Sequence, residues 1–266
     1  MNSLLIKANL ESKRSIVKVT PESAGWKHVG FEALKLMKGE TYQFDTIERE
    51  FCLVLLSGIA DISTKELRFQ SVGKRTSVFD SEHAHSIYVP WNENVEIIPN
   101  TDIEIALCSA PGGGNFEPRH IKPSDVEYLQ RGVSTNTRHI YNILPENEPA
   151  HSLLVVEVKT PSGHWSSYPP HKHDSNNIPT ESSLEETYYH RLNPKQGFAF
   201  QRVYTDSRDI DETMCVENHD VVMVPRGYHP VGVPHGYDSY YLNVMAGPVR
   251  AWHFNNDKDH EWMLES

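Results

Sequence analysis

The chain is written in short apolar runs. FCLVLLSG (51–58), IEIALCSA (103–110), SLLVVEVKT (152–160), GFAFQRVYT (197–205), DVVMVPRG (220–227) and SYYLNVMAG (239–247) are rich in β-branched and aromatic residues. Gly, Pro, Asn or Asp bounds them, which is the pattern of strands separated by turns. Only one segment carries a clear helix signal. In KPSDVEYLQRG (122–132) Ser124 stands as a cap, Glu127 follows three residues on, and Gly132 offers a stop. Many short, closely spaced strands bury their apolar faces as a sandwich or barrel, so the expected class is all-β.

The strands fall into two sets. One runs to about Ala110 and the other begins near Ser152, with the Gly/Pro-rich PGGGNFEPRHIKP (111–123) between them. The two halves share a pattern rather than identical residues: an apolar strand rising from a charged start, then a hydrophobic run ending in Pro (SIYVP and VVMVP). At about 150 residues per domain, 266 residues accommodate two β domains. The expected division is 1–123, a linker with a short helix over 124–150, and 151–266.

Lys and Arg number 25 against 36 Asp and Glu, a formal net charge of −11. With no basic run, this surface excludes nucleic acid and anionic membranes as natural partners, yet it permits a local basic pocket. Cys52, Cys108 and Cys215 are far apart and form no CxxC, so neither a disulfide framework nor a cysteine zinc site is expected. All three lie in apolar runs and are expected to be buried. Leu4 to Ile6 is too short an apolar run for a signal peptide, and no stretch approaches the roughly 20 apolar residues of a membrane span. A cytoplasmic protein is expected.

Chemistry concentrates in the second half. Of 15 histidines, His171 and His173 stand two apart in PPHKHD. Side chains of a strand repeat every two residues, so both imidazoles face one way and make half a metal site. In LEETYYHR the same alternation puts Glu186, Tyr188 and His190 on one face, and Glu185, Thr187 and Tyr189 on the other. In VPRGYHP, Pro225 and Gly227 set a tight turn that fixes His229. His83 and His85 repeat the two-residue spacing in the first half. They precede the Pro-ended strand, however, and the matching early strand YQFDTIEREFCLVLLSG has no His. The first domain is therefore expected to be metal-free, a degenerate barrel for packing and assembly.

The order His-x-His, Glu, Pro-x-Gly and a nearby His resembles the metal signature of cupin barrels. The resemblance implies two tandem cupin (jelly-roll) barrels, with His171, His173, Glu186 and His229 around one divalent ion in the second. Zn, Mn, Fe, Co and Ni all suit such a set. Two departures stand out. Twelve residues, DSNNIPTESSLE, separate His173 from Glu186 and read as a loop over the site, and Tyr228 alone separates Gly227 from His229. Glu185 remains a rival to Glu186.

A longer resemblance covers nearly the full chain. TPSGHWSSYPPHKHD, LEETYYHR, the stretch from GFAFQRVYT to VVMVPRGYHPV, and GYDSYYLNVMAGPVRAWHFNNDKDHEW are similar to the 5-deoxy-glucuronate isomerase family of bacterial myo-inositol catabolism. GKRTSVF, SIYVP, GGGNFEPRHI and the run from Arg131 to Arg138 agree as well. This implies a metal-dependent aldose–ketose isomerisation of a small sugar acid, 5-deoxy-glucuronate to 5-dehydro-2-deoxy-gluconate, in a homo-oligomer. Such a reaction moves a proton from C2 to C1. Glu185, Tyr188, His190 and Tyr241 are candidates for the base, and none is singled out. Tyr188 and Tyr241 could also face the substrate. A carboxylated substrate calls for an Arg fork. Arg202 is first choice, because a lone Arg in an apolar strand is costly unless paired; Arg191 and Arg226 are alternatives. A cupin dioxygenase using the same three-His, one-Glu site, and a non-catalytic sugar-acid-binding bicupin, are the competing readings.

Overall fold

In the computed structural model, which describes residues 3–264, the apolar runs are strands. They span Arg49–Ser57, Ile103–Pro111, Leu154–Thr160, Phe198–Tyr204, Val221–Val224 and Asp238–Ala246. Strands dominate throughout. The chain divides into two compact units that are not consecutive in sequence. One comprises Asn9–Glu127 and Asn142–Val155, the other Met1–Ala8, Tyr128–Tyr141 and Val156–Ser266. A linear division at 123 and 151 misses this exchange of short segments.

The first of these units pairs a six-stranded with a four-stranded sheet. The six-stranded order is Arg119–Ile121, Ser86–Val89, Arg49–Ser57, Ile103–Pro111, Gly30–Leu36, Ser15–Val19. The four-stranded order is Tyr42–Asp45, Asn94–Pro99, Ala60–Ser63, Arg68–Val72. Arg49–Ser57 is central and buried on both faces, which explains its near-continuous apolar sequence. Leu53 and Leu55 point into a core with Leu34, Ile62, Ile87, Ile97 and Ile105. Cys52 and Val54, one residue out of phase, are buried on the opposite face. Glu50 is fully buried, and its carboxyl oxygens accept from the backbone N–H groups of His151, Ser152 and Leu153 and from the Tyr88 hydroxyl.

The other unit carries the chemistry. Its seven-stranded sheet runs Leu5–Ile6, Val221–Val224, Glu185–Asn193, Asp238–Ala246, Leu154–Thr160, Arg138–Leu144, Glu127–Arg131. A four-stranded sheet runs Trp165–Ser166, Val231–Gly232, Phe198–Tyr204, Asp211–Glu217. No helix among the described residues is long and apolar enough to cross a membrane.

Two expectations fail here for local reasons. The helix expected over 122–132 is a single 3-10 turn, Pro123–Asp125, followed by the strand Glu127–Arg131. The Asp125 carboxylate does accept the Lys122 backbone N–H, but the chain then lies beside Arg138–Leu144, with Gly132 (φ 75°) in the connection. A strand partner satisfies that backbone better than a short isolated helix, whose nucleation is costly. Cys215 is exposed rather than buried: on Asp211–Glu217 it alternates with the buried Met214 and Val216. Cys52 and Cys108 are buried as expected.

Candidate functional site

Glu186 lies on Glu185–Asn193, paired with Val224 on one side and Met245 on the other. That register sends Glu186, Tyr188 and His190 into the interior, and it is the Glu186 carboxylate that lies beside the histidines. Asn243, on the neighbouring strand, donates to Glu186 Oε1 at 2.6 Å and fixes the carboxylate. His173 Nε2 lies 3.1 Å and His229 Nε2 3.4 Å from Glu186 Oε2. All three residues are buried, and one donor atom from each lies within 4.8 Å of the other two.

The backbone sets both imidazoles. His173 Nδ1 is 3.3 Å from the Leu184 carbonyl, while the Leu184 N–H donates to the His173 carbonyl at 3.0 Å. His229 Nδ1 donates to the Gly227 carbonyl at 2.8 Å. Gly227 has φ 94°, and a Cβ there would stand 2.4 Å from the Tyr204 carbonyl, so the turn requires glycine. Paired N–H···O=C bonds between Tyr228 and Tyr204 pin this turn to the Phe198–Tyr204 strand.

The consequence is chemical. With each Nδ1–H given to a carbonyl, the neutral rings turn the lone pairs of both Nε2 atoms toward a carboxylate oxygen. His229 Nε2 is buried and has no hydrogen-bond partner among the described residues. Lone pairs facing a carboxylate repel unless something positive stands between them. Nitrogen and oxygen ligands at about 2.1 Å from one ion sit roughly 3 Å apart, the spacing seen here. The donor set therefore fits a divalent cation, and the carbonyl bonds behind each imidazole are the outer support such ligands need. Burial pushes His229 down to about 4 against the pull of Glu186. For His173 burial also lowers basicity, but the neighbouring Glu186 carboxylate outweighs it and its pKa rises.

His171 stands apart from this trio. Its ring centre is 4.8 Å from that of His229 and 6.3 Å from that of His173, and it lines the adjoining cavity. Burial, with the charges of His229 and His173 added, holds it well below the ordinary histidine value. Tyr188 and Tyr241 lie beside the cluster, their rings 4.8 Å apart, with the Ser167 hydroxyl 3.0 Å from the Tyr188 hydroxyl and 3.4 Å from that of Tyr241. His190 Nε2 donates to Gln201 Oε1 at 2.9 Å. The insertion after His173 is a small hairpin, Asp174–Asn177 with Glu181–Ser183, whose Glu181 carboxylate accepts the N–H groups of Asp174 and Ser175.

Arg202 does not join the site. Gln201 is the buried, inward residue, so Arg202 points to the other face of its strand. There it forms a two-pronged pair with Asp211, 2.8 Å on each prong, and lies over the Tyr204 ring. Arg226 pairs with Asp209, and Arg191 donates to Asn218. Asn243, Gln201 and Ser167 escaped the sequence reading, although the first two are polar interruptions at alternating positions of apolar strands and could have been found that way.

Two units, each of two sheets closing on one another, give the chain a cupin-type fold, and the second unit holds the histidine–carboxylate cluster. A crystal structure of oxalate decarboxylase from Lactobacillus farciminis shares this fold with a TM-score of 0.69 at 11% identity, covering 100% of this chain and 91% of that one. The chain belongs to the KduI/IolB family, whose sequence profile matches residues 4–263. An IolB-like protein from Salmonella typhimurium LT2 superposes with a TM-score of 0.97 at 48% identity, over 98% of this chain and 99% of that one. A 5-deoxy-glucuronate isomerase from Geobacillus thermodenitrificans (strain NG80-2) is 59% identical over 95% of this chain and 92% of its own length. By that kinship the protein is an isomerase.

Proposed function

We propose that the protein is a metal-dependent aldose–ketose isomerase converting 5-deoxy-glucuronate to 5-dehydro-2-deoxy-gluconate in myo-inositol catabolism. The observation that carries this reading is the unpartnered, buried Nε2 of His229 facing the same Glu186 oxygen as Nε2 of His173. The activity for which the Geobacillus relative is named supports the substrate. In this reading His171 completes the set as the fourth ligand. A divalent ion (Zn, Mn, Fe, Co or Ni) bound there supplies the positive charge that polarises a carbonyl and its neighbouring hydroxyl.

The remaining work belongs to the chain. Asn243 holds the Glu186 carboxylate in one orientation. The hydroxyls of Ser167, Tyr188 and Tyr241 form a continuous group beside the cluster, where a proton moving between C2 and C1 can be held or passed. Burial, reinforced by the Glu186 charge, raises Tyr188 well above the ordinary tyrosine value, and burial raises Tyr241. Both act as phenols at neutral pH. The buried free thiols of Cys52 and Cys108 suit the reducing cytoplasm. A homo-oligomer is part of the proposal, and a solution mass of 30.4 kDa would refute it.

His173→Ala, Glu186→Gln and His229→Ala are expected to lose bound metal by elemental analysis. Isomerisation, followed by NMR on 5-deoxy-glucuronate, should fall by on the order of 1,000-fold with circular dichroism unchanged. Wild-type metal content in any two of them would overturn the ligand assignment. Oxygen uptake during turnover would assign the oxygenase reading instead.

A further inference from the structure

Several arginines in this chain have an anionic partner. Arg68 pairs with Asp61, Arg202 and Arg208 with Asp211, and Arg226 with Asp209. Arg138 differs. It opens the strand Arg138–Leu144 and is partly buried, yet no carboxylate among the described residues pairs with it. Its Nη1 donates to the carbonyl oxygen of Asn136 at 3.1 Å and to Asn136 Oδ1 at 3.3 Å. Asn136 is itself anchored by donating Nδ2 to the Tyr168 carbonyl at 3.1 Å. The guanidinium is thus held from one side. Its Nε and Nη2 make no hydrogen bond to the described protein and remain free as a planar fork.

That fork lies on a cavity of about 740 Å³ lined also by Arg131, Tyr168, His171, Phe254 and Trp262. Among the described residues no Asp or Glu lines it, although the protein as a whole is acidic. His171 connects this cavity to the histidine–carboxylate cluster, since its ring is 4.8 Å from that of His229. A charged group placed partly out of water without a counter-ion is costly, and burial lowers the Arg138 pKa accordingly. Such a position is sustained where a ligand supplies the missing charge.

We propose that Arg138, held by Asn136, is the residue that receives the carboxylate of the substrate, so that the protein selects sugar acids over neutral sugars. The proposal rests on the isomerase reading for the identity of the sugar, and on the geometry of the cavity for the anion. Arg138 is a binding residue: it touches the end of the substrate remote from the reacting carbons and fixes their distance from His171, His173 and His229. Binding energy from that remote end is what positions the reacting carbonyl.

The test uses the full, metal-loaded protein. Arg138→Met is expected to raise KM for 5-deoxy-glucuronate about 100-fold. Turnover of the neutral analogue 5-deoxy-glucose and bound metal should be unchanged. Arg138→Lys keeps a charge but loses the fork, and should fall between the two. Arg202→Met, whose side chain faces away, should leave KM as it is. An unchanged KM in both Arg138 variants would overturn the proposal. So would an equal loss on both sugars, which would mark a structural role. If wild-type protein fails to isomerise 5-deoxy-glucuronate, the isomerase reading falls on its own. Arg138 is then tested by titrating glucuronate into the wild-type and Arg138→Met proteins and following ligand NMR signals. Binding lost in the variant supports the anion site, and equal binding ends it.

Discussion

His190 is a fully buried imidazole between Tyr188 and Tyr241, whose ring centres lie 6.0 and 5.9 Å away. Burial drives its pKa down to about 4, only partly offset by the hydrogen bond to Gln201 and the charge of Asp220. In an unfolded chain it titrates near 6.5. Between those values the unfolded chain binds the extra proton, so this residue withdraws stability as pH falls from about 6.5 to 4 and has no effect above. At pH 5 the difference is roughly 2 kcal/mol. His190→Gln cannot titrate. Urea unfolding at pH 7 and pH 5 should show the gap between the two pH values narrowing by about that amount relative to wild type. An unchanged gap would mean that the native His190 is protonated at pH 5. The same residue shows how far sequence reading reaches. Strict alternation placed Glu186, Tyr188 and His190 on one face, because alternation is a local property of any strand. The choice between Glu185 and Glu186 needed the pairing with Val224 and Met245, which is a property of three strands. The cost of a charge in an apolar run points Arg202 inward only if its face is ignored, because the buried Gln201 takes the inner face and leaves Arg202 to Asp211.

At the level of elements, the smallest strand has a large duty. Leu5–Ile6 pairs with Val222 and Val221 and caps the edge of the seven-stranded sheet. Leu4 is buried, and the buried Asp220 carboxylate accepts from Lys7 Nζ at 2.8 Å and from the Ala8 N–H at 3.1 Å. Deleting residues 1–8 would bare the apolar edge of Val221–Val224 and leave Asp220 short of two donors. The loss should be about 2 kcal/mol, or roughly 5 °C in melting temperature, with aggregation rising as the edge is freed. Thermal melting with light scattering measures both. Equal melting and scattering would show that the segment is dispensable. Nothing local announces this pairing, since SLLIKAN is too short to read as a strand of a particular sheet. The converse error at 122–132 has the same origin. Ser124, Glu127 and Gly132 are real local helix signals, but the backbone of Glu127–Arg131 finds its partner in the sheet. Where Gly or Pro punctuates long apolar runs, local pattern and tertiary pairing agree, and the six strands lay within a few residues of expectation. The lid-like insertion after His173 was legible as a polar segment, but its hairpin form depends on the buried Glu181 collecting two backbone N–H groups.

For the whole molecule the decisive quantity is charge. A net −11 repels a sugar acid at long range, while the cavity beside His171 presents Arg131 and Arg138 and, among the described residues, no carboxylate. These two fields act over different distances. At 0.01 M salt the screening length is about 30 Å, so an approaching anion feels much of the molecule's negative charge. At 0.15 M it is about 8 Å, and the distant carboxylates are screened while the cavity arginines still act at contact. Capture of a carboxylated substrate should therefore improve with salt over that range. The expected rise in kcat/KM for 5-deoxy-glucuronate is about two-fold between 10 and 150 mM NaCl, with no change for 5-deoxy-glucose. Steady-state rates at low substrate measure it directly. A fall in kcat/KM over the same range would mean that the basic cavity, focusing its field into solvent, governs the approach even when the rest of the charge is unscreened.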